Sequence, residues 1–362
     1  MDYKTLPLNW ATIPEELLVI VMSYLNAKEL MRIAQVSYHW RCVAEENCLW
    51  RPLFLKDFKL SDHCKLKICS RWIDEYKMFK FNVPNELSEN LPDCYEGMSY
   101  VCFSKDGLLF CTVACNASFK VSFIWTTTHP VYLFHERHLD EELDWEQAFF
   151  AEFSPDNKHL LISGLKYDGT GEIAVFSIDG TLYRSVIGSS VSQLWICSAK
   201  SFYECNDAAI FSALFRLLNR GGGFCQKVTV GRYISSRLRG VIMLAQEAAK
   251  ENKAEIRVIN LSTMTFGSSY FGHFATITDR FQCSIGGPFV VSGSKDGGRI
   301  WSKDYKCVIG NLSHGFDHGI TAAVQPIDGS MIVTVSKGDD SIKIWRSKKF
   351  LQKEIVVPND FM

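Results

Sequence analysis

The strongest constraint in this chain is a turn that keeps returning. Ser104-Lys105-Asp106-Gly107 separates the apolar run ending at Phe103 from Leu108 to Val113. Ser154-Pro155-Asp156-Asn157 stands between Phe153 and Leu160-Leu161-Ile162, and Ser294-Lys295-Asp296-Gly297 follows Val290-Val291. Asp-Gly between apolar runs predicts a tight hairpin, because Gly readily takes the positive φ such turns need. A second signal runs beside it. Phe123-Ile124-Trp125, Ile173-Ala174-Val175-Phe176, Ile256-Arg257-Val258-Ile259, Arg299-Ile300-Trp301 and Ile342-Lys343-Ile344-Trp345 each follow a small or polar turn. Trp301 and Trp345 are about 45 residues apart, and Phe103 and Phe153 about 50, which is an internal repeat of short strands.

Periods of that length with a closing aromatic mark propeller blades, in which repeated sheets around an axis leave few exposed strand edges. Pro84, Asn85, Pro92 and Asp93 mark where the repeats begin. The roughly 255 residues beyond them suffice for six or seven blades. The runs resemble WD repeats, most clearly in the last two blades and least between Leu182 and Ala254. Trp125-Thr126, Trp301-Ser302 and Trp345-Arg346 occupy the place of that family's Trp-Asp dipeptide, and Gly272-His273 resembles its blade-opening Gly-His.

The first fifty residues read differently. Thr12 with Glu15 three residues on forms a capping-box pattern, and Pro14 in the first turn gives up an N–H that has no partner there anyway. Leu17 to Met22 are consecutively apolar, so the helix they predict needs cover on more than one side. In the next segment Leu30, Ile33, Ala34 and Ser37 share a face, while Met31 and Val36 need other cover. A unit of about 40 residues has too little interior for Trp40, Trp50 and these aliphatics. The sequence implies a partner surface.

Ile13-Pro14-x-Glu16-Leu17-Leu18, Tyr24-Leu25, Glu29-Leu30, Val36, Trp40 and Leu49-Trp50 resemble an F-box, with Ile13 where that family usually has Leu. The resemblance implies docking to the Skp adaptor of a cullin-RING ubiquitin ligase. It assigns adaptor binding to Ile13, Pro14, Leu17, Leu18, Ile20, Leu25, Leu30, Val36, Trp40 and Trp50, some by contact and some as the module's own core. Burial of such aliphatic side chains contributes about 1.5–3 kcal/mol each before binding costs. The plain alternative is a helical cap on the next domain.

Between the two regions, Arg71 to Phe81 predicts a helix with Trp72, Tyr76 and Phe79 on one face. The expected organisation is multidomain: an all-α F-box domain at 10–55, a helical linker at 56–92, an all-β propeller at 93–350 and a tail at 351–362. That order resembles the F-box/WD-repeat family. Phe149 to Gly164 with Gly171 to Val175, Ser292 to Ile309, and Leu312 to Ser347 look most like one of its members, than which this chain is shorter in the middle. The resemblance implies a non-catalytic substrate receptor whose propeller presents a protein for ubiquitin transfer.

Composition narrows the alternatives. The chain has 362 residues and a net charge of −1, which calls for neither nucleic acid nor an anionic membrane. Met1 to Pro7 lack the basic segment and apolar core of a signal peptide, and no apolar run approaches the roughly 20 residues of a membrane span. The expectation is a soluble intracellular protein, cytoplasmic with the nucleus open to it. The 13 cysteines are scattered, odd in number and without a C-x-x-C pair, which fits buried thiols in a reducing compartment.

Sites for chemistry are weak. Arg216, Arg220, Arg232, Arg237 and Arg239 surround Gly221-Gly222-Gly223 in the least regular blades. Arg220, Arg232, Arg237 and Arg239 are substrate-binding candidates, by Arg–phosphate pairing, against the plainer reading of a solvated loop. The Gly run lacks a following Gly-Lys-Ser/Thr. Asp140-Glu141-Glu142 with Asp144 and Glu146 reads as a solvated face that can also meet a basic substrate. His314 and His318, like His135 and His138, have metal-compatible helical spacing, but Gly315 and Gly319 place the first pair in a loop and no carboxylate pattern completes a site. No cofactor, metal or catalytic constellation is expected. The alternative is a propeller scaffold, or a receptor for a cullin-4-type ligase, whose Trp-Asp-x-Arg blade end Trp345-Arg346-Ser347-Lys348 half resembles.

Overall fold

The computed structural model describes residues 13–91, 97–115, 120–154, 156–168, 170–179, 182–188, 225–231, 239–246, 253–260, 265–274, 282–315, 318–336 and 338–355. The chain divides into two compact units, Met1–Asn82 and Val83–Met362.

The first unit is helical: α1 Glu15–Met22, α2 Ala27–Ile33, α3 Tyr38–Ala44, α4 Asn47–Asp57 and α5 Trp72–Phe81. Pro14 caps α1 without a side-chain bond, with Glu15 and Glu16 at the positive end of the helix dipole. Thr12, the expected capping residue, lies outside the described residues. A capping box forms instead on α2, where Asn26 Oδ1 accepts from Lys28 and Glu29 N–H at 3.0 Å and Glu29 accepts from Asn26 N–H at 2.9 Å. Ser37 caps α3 by accepting from Trp40 N–H.

Aromatic packing joins α4 to α5. Trp50 is buried, donates to Ala44 O at 2.7 Å and meets Tyr76 edge-on at 5.2 Å. Phe54 lies 5.5 Å from Trp72 and 5.3 Å from Phe79. The Tyr76 hydroxyl donates to Asp57 at 2.5 Å. Trp72, Tyr76 and Phe79 are all buried on the one face their spacing predicts.

The second unit contains five antiparallel four-stranded sheets among the described residues. Its elements are β1 Glu86–Leu91, β2 Met98–Phe103, β3 Leu109–Cys115, β4 Lys120–Thr126, β5 Leu133–His138, α6 Leu139–Leu143, β6 Trp145–Phe153, β7 His159–Lys166, β8 Gly171–Ser177 and β9 Leu182–Gly188. There follow β10 Cys225–Gly231, β11 Arg239–Gln246, β12 Lys253–Asn260, β13 Thr265–Phe274, β14 Cys283–Gly286, β15 Phe289–Ser292, β16 Gly298–Ser302, β17 Val308–Leu312, β18 Ala322–Val324, β19 Met331–Val335, β20 Ile342–Arg346 and α7 Lys348–Ile355. Four sheets are sequential, β2 to β5, β6 to β9, β10 to β13 and β14 to β17. The fifth, β1-β20-β19-β18, is completed by the unit's own first strand. This is the strand-rich architecture of WD-type blades. Of the six or seven blades expected, any that uses residues 189–224 lies outside the described residues.

Adjacent sheets bury apolar faces against each other. Met98, Val101 and Phe110 pack with Val324, Met331 and Val333, while Cys111, Val113 and Ile124 pack with Trp145, Leu160 and Ile162. The five repeated runs, including those ending at Trp125, Phe176, Trp301 and Trp345, form the third strand of their sheets: β4, β8, β12, β16 and β20. The recurring turns use one chemistry. Ser104 donates to Asp106 at 2.6 Å, Ser294 donates to Asp296 at 2.5 Å and Ser154 donates to Asp156. The fourth residue takes positive φ each time, +72° at Gly107, +58° at Asn157 and +109° at Gly297. The first two turns join the first and second strands of a sheet and the third joins the second and third, so one motif serves opposite sheet ends.

The last sheet encloses a polar chain. The Trp345 indole donates to Thr334 Oγ1 at 2.7 Å, and Thr334 Oγ1 lies 2.8 Å from His314 Nε2. His314 Nδ1 lies 2.9 Å from both Asp339 oxygens, and Lys343 pairs with Asp339 at 3.3 Å. Burial holds the His314 imidazole below its ordinary range, outweighing the opposing carboxylate. Burial also works against ionisation of Asp339, but its bonds to His314 and Ser341 hold it below the usual carboxylate range. Other sheets keep fragments of this arrangement: Trp125 donates to Thr112 Oγ1 at 3.0 Å, and Trp145 to Glu172 at 2.7 Å.

Thr334→Val strands both the indole and the imidazole, and we expect a loss of about 1–3 kcal/mol, read by chemical denaturation. Because the folded-state pKa of His314 is depressed, the unfolded chain binds more protons as pH falls. The stability tied to His314 is present above about pH 6.5 and is lost below it, with the Asp339 contribution following in the carboxylate range. Thermal melts between about pH 7.5 and 5.5 will show a falling midpoint, and His314→Phe will flatten that slope.

Candidate docking surface on the helical unit

Helix α1 has two apolar faces with different fates. Leu18 and Met22, four apart, are each 1% exposed, and α1 packs on α3. Leu17, Ile20, Val21 and Tyr24 follow the i, i+3, i+4, i+7 spacing of a single stripe and are 53%, 55%, 49% and 86% exposed. Contiguous exposed apolar surface marks an interaction site more often than isolated exposed side chains do. Val36 and Tyr38, around the start of α3, are exposed as well.

The helices that hold this stripe are fixed by local bonds. Glu15 on α1 lies 3.6 Å from His39 on α3, and Arg41 Nε donates to Ala34 O at 3.1 Å, tying α3 to the end of α2. The Asn26 box sets the start of α2, whose Ala27 and Leu30 are buried.

The ten sequence-derived adaptor residues divide by burial. Pro14, Leu17, Ile20 and Val36 are exposed, Ile13, Leu25 and Trp40 are half-buried, and Leu18, Leu30 and Trp50 are interior. The structure adds Val21 and Tyr24, which the helical spacing counted from Leu17 was sufficient to find. Arg216, Arg220, Arg232 and Arg237 lie outside the described residues. Arg239 begins β11 opposite Asn260, and only its backbone is described.

Two of the remaining candidates, Arg346 and Lys348, have structural partners. Arg346 is 4% exposed and donates to Thr127 O and Thr128 O at 2.9 and 2.8 Å. Lys348, at the Arg position of the half-matching blade end, pairs with Glu86 at 3.0 Å. His135 and His138 have helical spacing in sequence but fall on strand β5, so that spacing does not bring them to one helix face. Among the described residues no group of three metal-ligating side chains is assembled, and no helix is long and apolar enough to cross a membrane.

Comparison with known proteins bears on both units. A family model described as F-box-like matches residues 10–56. The chain is similar to F-box/WD repeat-containing protein 5 of Rattus norvegicus and of Mus musculus, 22% identical over 262 residues in each case, covering 64% of this chain and 45% and 44% of those proteins. The Homo sapiens protein of the same name is 22% identical over 250 residues, covering 60% of this chain and 44% of its own length. The match therefore spans less than half the length of these relatives, yet more of this chain than its helical unit contains. The chain thus carries an F-box-like match in its helical unit and a similarity to F-box/WD repeat-containing proteins that extends beyond that unit.

Proposed function

We propose that this chain is the substrate receptor of an SCF-type ubiquitin ligase, docked through its helical unit to the Skp adaptor and through it to a cullin-RING core. The observation that carries this reading is the stripe Leu17, Ile20, Val21 and Tyr24, left exposed within the F-box-like match. A chain that meets only water there gains nothing from an apolar outer face; a partner helix or groove does. Pro14, Leu17, Ile20 and Val36 act by contact. Leu18, Leu30 and Trp50 act by holding the module's shape, with Ile13, Leu25 and Trp40 at the margin. The strand-rich unit presents a protein substrate, and ubiquitin transfer is performed by other subunits in the cytoplasm or nucleus. The chain itself is non-catalytic in this reading.

The two faces of α1 give separable expectations. Leu17→Ala combined with Ile20→Asp leaves unfolding within about 0.5 kcal/mol of wild type, as surface substitutions do. Leu18→Ala costs about 2–5 kcal/mol. In co-purification with the Skp adaptor, the wild-type chain retains the adaptor and the Leu17/Ile20 variant loses it while keeping the wild-type circular dichroism. Absence of adaptor from the wild-type sample, or undiminished retention by the folded variant, overturns the reading.

A further inference from the structure

Strand β5 is the outer edge of its sheet, hydrogen-bonded to β4 on one side among the described residues. Protein edges of this kind are normally blunted by charge, proline or a bulge, because a free row of N–H and C=O groups recruits another strand. β5 carries charge at Glu136 and Arg137 and a bulge at Phe134, where its register against Ile124 and Trp125 shifts, yet Tyr132, Leu133 and Phe134 follow one another at 58%, 46% and 53% exposed. The strand continues directly into α6, which buries Leu139 and Leu143 and leaves Glu141, Glu142 and Asp144 in solvent. From Glu136 to Glu146 the chain carries Glu136, Asp140, Glu141, Glu142, Asp144 and Glu146 against the single cation Arg137. Arg137 is buried, paired with Glu142 and seated 4.2 Å over the Phe176 ring, so it offsets Glu142 and leaves the charge of Glu141 and Asp144 outward.

We propose that β5 and α6 together form a substrate-docking edge for an extended segment that is apolar along one part and basic along the next. The segment adds a strand to β5, lays apolar side chains over Leu133 and Phe134, and brings lysine or arginine beside Glu141 and Asp144. Main-chain pairing supplies affinity and the alternate side chains supply selectivity, as in other strand-addition complexes. Antiparallel addition is the commoner geometry. Because β5 runs from Leu133 towards α6, an antiparallel segment carries its basic residues N-terminal to its apolar ones. This inference rests on the substrate-receptor reading and names the class of segment received. A phosphorylated, anionic segment is disfavoured at this edge by like charge.

The test uses the full chain co-purified with the Skp adaptor and a fluorescent peptide with two lysines N-terminal to alternating valine and threonine. We expect saturable binding by anisotropy, weakening with added salt, and slowed amide exchange along Leu133–His138. We expect Leu133→Thr with Phe134→Thr, and separately Glu141→Gln with Asp144→Asn, each to weaken binding by about tenfold; Asn retains the left-handed backbone of Asp144. A peptide with glutamate in place of lysine should not bind. Equal binding of both peptides, unchanged affinity in either folded variant, no wild-type binding, or unprotected β5 amides overturns the proposal. Adaptor retention in the same samples separates this failure from failure of the receptor reading.

Discussion

The account depends on one division of labour within a single helix. Leu18 and Met22 commit α1 to the interior of a small unit, in which Trp50, Phe54, Tyr76 and Phe79 are also buried. A unit this small has little apolar volume to spare, so the second apolar stripe on α1 finds no room inside. Leu17, Ile20 and Val21 remain outside for a geometric reason, their spacing setting them on another side of the helix, and Tyr24 continues the stripe in the turn that follows. The buried stripe positions the exposed one.

In the strand-rich unit the comparable constraint is the joining of distant chain segments. β1 pairs with β20 across nearly the whole unit, Glu86 opposite Arg346 and Leu91 opposite Ile342. Glu89 on β1 then accepts from Val131 N–H at 2.7 Å and lies 2.9 Å from His129 Nδ1, reaching the loop between β4 and β5. Arg346 donates to two carbonyls of the same loop and stacks over Phe350 at 4.6 Å. One carboxylate and one guanidinium, both largely withdrawn from water, thereby link the first strand, the last strand and the β2–β5 sheet. Each is charged and each is multiply bonded, which is the condition under which buried charge is tolerated.

Much of this was legible in sequence because it is local. The Ser-x-Asp-Gly pattern encodes a turn through its own side-chain bond and its own positive φ, so no distant information was needed at Gly107 or Gly297. The aromatic runs ending at Trp125, Trp301 and Trp345 each follow a small or polar turn and are strands. Trp72, Tyr76 and Phe79 fell on one buried face as their spacing required. What was not legible is non-local. Nothing near Leu87 announces Trp345 as its partner, and His314 shows its role only when Asp339, Thr334 and Trp345 are brought around it. The apolar excess of α1 pointed to a partner surface. Whether Leu17 or Leu18 would be the outward residue depended on the direction from which α3 packs, which spacing within α1 does not contain. His135 and His138, whose sequence spacing is also compatible with a helix, pair as part of strand β5.

The most direct test of the central claim is hydroxyl-radical footprinting of the full chain with and without the Skp adaptor. The account predicts reduced oxidation at Leu17, Ile20, Val21 and Tyr24 in the complex, with Tyr132 and Phe134 unchanged. Oxidation of the α1 stripe that is the same with adaptor present, or protection that falls only elsewhere on the chain, would contradict it.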